Sequence, residues 1–155
     1  MAYLMLKWIH ILSATILFGT GIGSAFYMYM ANRRGDIAEI YFMTRQVVIA
    51  DWLFTMPAVF IQFFSGLALV HLAGYSFSYL WILWALFLFF LAGVFWLPVV
   101  WIQIQMRDMA KAAFEGGKPL PVRYWVMTRW WTILGCLAFP TVILIVYFMV
   151  FKPLG

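Results

Sequence analysis

Residues 3–30 read "YLMLKWIHILSATILFGTGIGSAFYMYM". The run is apolar almost throughout and longer than the roughly 20 residues a helix needs to cross a bilayer. It shows no strict alternation of apolar and polar residues, so a strand does not compete. It exceeds the core of a signal peptide, has no small-residue cleavage site behind it, and is expected to stay in the mature protein. Within it stand a lysine, Lys7, and a histidine, His10, three positions apart on one helical face.

The rest of the chain repeats the pattern. Hydrophobic residues make up 67% of its 155 residues and charged residues 10%. A water-exposed globular surface cannot be built from that composition, and an integral membrane protein is implied. Further spans are expected near 46–72, 79–105 and 126–151 beside the first at 3–30. The expected fold is all-α, a single domain over 1–155 forming a four-transmembrane-helix bundle. The lone Cys136 excludes an internal disulfide and a thiolate cluster.

The net charge of +5 is not a nucleic-acid signal. Arg33, Arg34, Arg45, Arg107, Lys111, Lys118, Arg123 and Arg129 are eight of the ten basic residues, and all lie in or beside the first and third connections. Basic residues concentrate on the cytoplasmic side. Both termini are therefore expected outside, and a bacterial inner membrane is the expected location. Lys152, before Pro153, reads as an interfacial anchor. Gly19 and Gly23 have the small-xxx-small spacing that lets helices approach, within one bundle or between two copies.

Depth along the helices separates the polar residues. At 1.5 Å per residue, His10 lies roughly 9 Å and Lys7 roughly 13 Å outward of the midplane. Lys7 can snorkel to the interface; a histidine at the depth of His10 is costly unless paired or ligating. His10 is thus either a ligand to a metal or haem, or a neutral histidine hydrogen-bonded to a neighbouring helix. Lys7 is either an anchor or a cation for an anionic group such as a propionate. Gln62 falls near the His10 layer. His71 sits at the outer end of the second span, allowed but not favoured as a second ligand. Asp51 lies roughly 12 Å inward of its own midplane, with Arg45 at the interface and Arg129 at similar depth. An Asp51–Arg129 ion pair is the structural expectation there, and a proton relay the functional one. Pro57, Pro98 and Pro140 interrupt three spans and suggest a cavity.

The segments "LKWIHILSATILFGTGIGSAF", "VVIADWLFTMPAVFIQFFSGLAL", "FWLPVVWIQIQMRDMA" and "FMVFKP" resemble the integral membrane family catalogued as domain of unknown function 2269. More distantly, Lys7 and His10, the Pro57-to-Gly66 spacing and the Lys152–Pro153 end resemble HemJ, a family of haem-b-binding protoporphyrinogen oxidases. That second resemblance implies haem b, with His10 as ligand and a redox activity toward porphyrin. This chain departs from it at "YMAN", where HemJ has a second histidine. Its third span has tryptophans in place of a Lys and Tyr-His feature, and "LAFP" replaces an Asn-Glu-x-Pro motif. The leading expectation is a haem-b-binding membrane redox protein exchanging electrons with quinone or a surface partner. The alternative is a non-enzymatic subunit or a small-molecule or proton carrier using Lys7, His10 and Asp51.

Overall fold

The computed structural model describes residues 1–153. Its helices are α1 (Ala2–Arg34), α2 (Ile37–Ala50), α3 (Met56–Leu72), α4 (Leu80–Gly116) and α5 (Val122–Phe151). A π-helical turn, Asp51–Thr55, joins α2 to α3, so that Ile37–Leu72 forms one rod. The chain is all-α, with four helices long and apolar enough to cross a membrane.

Those helices run past the expected spans. They hold 33, 36, 37 and 30 residues, or roughly 45–55 Å each at 1.5 Å per residue, against roughly 30 Å of hydrocarbon. The excess lies mostly at the basic end, where sequence polarity alone suggested long loops. The first connection is instead a tight corner. Gly35 takes the left-handed conformation that closes α1 (φ 77°), which costs glycine no Cβ clash. Asp36 then caps α2, its Oδ1 accepting from the Glu39 N–H at 2.8 Å. The third connection shrinks in the same way. "RDMAKAAF" continues α4 down to Gly116, and Gly117 (φ 58°) ends it.

The π turn has a local cause. Pro57 lacks an N–H, and its ring would press on the carbonyl of Leu53 in a regular α-helix. Widening the preceding turn relieves that pressure. The Met56 N–H bonds to the Asp51 carbonyl, five residues back. Pro98 and Pro140, by contrast, lie inside continuous α-helix.

Packing differs between the two ends. At the basic end Met28, Ile40, Val47, Ile102, Met106 and Tyr124 form a buried cluster. Ala31 and Ala110 belong to it too and bring little bulk between the helices. The Tyr124 hydroxyl donates to Asn32 Oδ1 at 2.6 Å, tying α5 to α1. α4 packs along α5, α1 along α3, and α2 along α4. Toward the end bearing both termini, the α1–α3 pair and the α4–α5 pair face each other through rings. Phe18 meets Phe139 at 4.8 Å and Phe63 stacks on Phe89 at 5.6 Å. No extended backbone approach joins α1 to α5 or α3 to α4 among the described residues. A seam is left there, and it contains His10.

Candidate functional site

His10 faces α3. Its Nδ1 lies 2.7 Å from Ser65 Oγ. Ser65 Oγ also touches the Ile61 carbonyl one turn back. A Ser65 proton given to that carbonyl leaves Oγ to accept from His10, and in that tautomer Nε2 carries the free lone pair. Ser13, one turn further along α1, lies 2.9 Å from the His10 carbonyl and 3.0 Å from Gln62 Oε1 and shares its proton between them. Ser13 and Ser65 are both buried. Gly66 lies under the Nδ1–Cε1 edge of the ring: a Cβ there would stand 3.3 Å from His10 Cε1.

The ring borders a cavity of about 70 Å³ between the two helix pairs. Gln62, Phe63 and Gly66 line it from α3, Trp81 and Phe89 from α4, and Met149 from α5. Above it, toward the termini, Lys152 Nζ donates to the Tyr75 hydroxyl at 3.0 Å. The same ammonium lies 4.8 Å from the Tyr75 ring centroid and 5.4 Å from that of Trp81. Lys152 is therefore more than an interfacial anchor. It pins the connection between α3 and α4 over the Trp81 wall of the cavity.

The expected residues separate into three groups. His10 and Gln62 come together, as their matched depth suggested. Lys7 is exposed one turn beyond His10, consistent with a snorkelling side chain. His71 is exposed at the end of α3 and does not line the cavity, so a bis-histidine pair is not assembled. Asp51 is 5% exposed. Its Oδ1 accepts from Thr55 Oγ1 at 2.9 Å, inside the π turn. Gln103 lies against the carboxyl, yet Asp51 Oδ2 and Gln103 Oε1 are both buried without a hydrogen-bond partner.

The expected Asp51–Arg129 ion pair is not formed. Arg129 and Arg45 are both exposed, and neither has an acidic partner among the described residues. Rise along a helix fixes depth but not direction, and Arg129 points away from the bundle. Gly19 and Gly23 also differ from expectation within the chain, for a Cβ on either would meet nothing within 4 Å. Three residues of the site went unread in the sequence: Ser13, Ser65, and Gly66 as a ring contact. Met149 falls outward of the His10 layer when placed by rise alone, yet it lines the same cavity. The signal for Ser13 and Ser65 was their spacing, each three residues after a polar residue of the same layer (His10 and Gln62).

Haem b can be tested against this arrangement. The free Nε2 suits an axial bond to iron. The aromatic and aliphatic walls suit a flat macrocycle, and Met149 offers a thioether from the opposite pair. The enclosed volume does not suit it, since ligand pockets run to roughly 300–1,000 Å³. A porphyrin would have to part the two pairs, whose rings meet across the seam. Among the described residues no group of three or more His, Cys, Asp or Glu side chains could hold a metal ion.

No curated protein and no solved structure matches the chain. A family described as "Predicted integral membrane protein (DUF2269)" matches residues 4–153. Four apolar helices and a match of that extent agree, and the protein belongs to this family of integral membrane proteins.

Proposed function

We propose that the protein is a haem-b-binding membrane redox protein in which His10 supplies an axial ligand through Nε2. The single observation that carries this reading is the 2.7 Å contact of His10 Nδ1 with Ser65 Oγ, which supports an imidazole held by one nitrogen with the other free to bind iron. The haem supplies a one-electron couple when bound. The protein's own residues do the rest. Ser65 orients the ring, Gly66 leaves room for it, and Ser13 fixes Gln62 beside it. The phenyl and indole walls would keep water from the bound group. Lys7, exposed one turn outward, would meet a propionate at the interface. Electrons would pass to or from a quinone, a porphyrin substrate or a partner at the membrane surface.

The test is an absorption spectrum of protein purified from cells with ample haem supply, air-oxidised and then dithionite-reduced. A Soret band that His10→Ala removes and Lys7→Ala retains is the expected result. A colourless wild-type protein refutes the proposal.

One observation favours a second reading, a proton or small-molecule carrier. Asp51 keeps a buried oxygen with no partner, at a turn type frequent in functional helices. That reading predicts a colourless protein in which Asp51→Asn abolishes transport and His10→Ala reduces it.

A further inference from the structure

At the basic end, away from the His10 cavity, a groove of about 290 Å³ opens between α2 and α4. The two helices are antiparallel, so the groove's lining residues fall into layers about 6 Å apart, one for every four residues. Tyr41 and Lys111 form the lip furthest from the membrane centre. Arg45 and Arg107 form the middle. Val48 and Ile49 lie deepest, on the side of the hydrocarbon.

The charges do not cancel. Three cations line the groove against one carboxylate, Asp108. Asp108 Oδ1 accepts from Arg107 Nε at 2.9 Å and pairs with its Nη2 at 2.7 Å. Arg107 Nη1 has no acidic partner among the described residues. Glu115, outside the groove, stands 3.9 Å from Lys111. Arg45 has no acidic partner among the described residues.

We propose that this groove binds the phosphate headgroup of an anionic phospholipid, with the start of an acyl chain over Val48 and Ile49. The tendency of basic residues to gather at one membrane face requires positive charge there but not convergence. Arg33, Arg34 and Arg123 at the same end line no part of the groove. Arg45, Arg107 and Lys111 instead meet from two helices around one opening. A free phosphate would need only those cations. The apolar deep end is what a lipid adds, and polar lip, cationic middle and apolar floor follow the order of a phospholipid entering the bilayer. Basic pockets between helices at such a level suit anionic headgroups.

The test uses the full chain in phosphatidylcholine nanodiscs, titrated with phosphatidylglycerol or cardiolipin. Binding is read by native mass spectrometry and by the shift in thermal unfolding. The exposed pair Arg45→Gln/Lys111→Gln is compared with the equally charged control Arg33→Gln/Arg123→Gln. A direct charged contact to the headgroup contributes at least about a ten-fold factor, so the groove pair is expected to bind roughly 100-fold more weakly. The control pair is expected to bind like wild type. Arg45→Lys, which keeps the charge, is expected to retain most of the binding and reports on folding of the altered groove. Equal loss in both pairs overturns the proposal in favour of diffuse surface charge. The same shift with inorganic phosphate alone overturns it in favour of a free-anion site. Absence of any preference for anionic lipid overturns it outright.

Discussion

Replacing Gly66 with alanine isolates the contact that holds His10 in place. The new Cβ would stand 3.3 Å from His10 Cε1 and 3.9 Å from Nδ1. Optimal carbon contacts lie at about 3.5–4.0 Å, so the ring must retreat by a few tenths of an ångström. The retreat draws on the 2.7 Å bond to Ser65. Losing such a bond costs about 1 kcal/mol, and leaving a buried donor unpaired costs up to about 3 kcal/mol. Alanine in place of glycine within a helix contributes about 0.8–1.0 kcal/mol in the other direction. The two effects nearly cancel at the low end of that range, so Gly66→Ala is expected to be neutral to destabilising by about 2 kcal/mol. Gly21→Ala is the control, because a Cβ there meets nothing within 4 Å; it is expected to stabilise by up to about 1 kcal/mol. Reversible unfolding in mixed micelles measures both. The separation between the two variants, about 1–3 kcal/mol, is the quantity to read. If Gly66→Ala proves as stabilising as Gly21→Ala, His10 does not pack on Gly66 and the tautomer argument built on Ser65 loses its geometry.

Other expectations follow from single contacts. Ser65→Ala strands the His10 Nδ1 proton, and nitrogen-15 histidine spectra should change from one Nδ1–H tautomer in the wild type to a mixture. Arg129→Gln should shift stability by no more than about 0.5 kcal/mol, the range of an exposed substitution; a loss of about 3–5 kcal/mol, as for a broken buried ion pair, would restore the partnership with Asp51. Asp51→Asn keeps an oxygen for Thr55 and removes an unpaired buried carboxylate, so unfolding should show unchanged or raised stability. Tyr124→Phe leaves Asn32 without its buried donor and should cost about 1–3 kcal/mol in the same measurement.

The four spans were legible in the sequence because a bilayer demands about 20 apolar residues and the chain supplies four such runs. Their ends were not. "RDMAKAAF" is polar enough to resemble a loop, yet its residues form helix well, and α2 and α4 pack against each other through that stretch. Depth was legible, and it brought His10 and Gln62 into one layer. Direction around the helix axis was not, which is why Arg129 was assigned to Asp51; for Met149 on α5 depth itself misled, since rise alone puts it outward of the His10 layer whose cavity it lines. Serines in apolar runs carried the hidden information. Neither hydroxyl stands out by residue type, and only the fold brings Ser65 against the His10 ring and Ser13 against Gln62.

The π turn at Asp51–Thr55 also sets a phase. It places one residue more in a turn than an α-helix holds, and one residue is worth about 100° of rotation. Everything downstream on α3 is turned by that angle relative to α2. One rod can thus show Ile40, Thr44 and Val47 to the core at one end and Gln62, Ser65 and Gly66 to α1 at the other. Deleting a single residue between 51 and 55 would remove the extra phase and swing Ser65 away from His10, leaving every chemical group of the site in the chain and none of them in register. A chain that shares the histidine but lacks that residue has the letters of this site without its geometry.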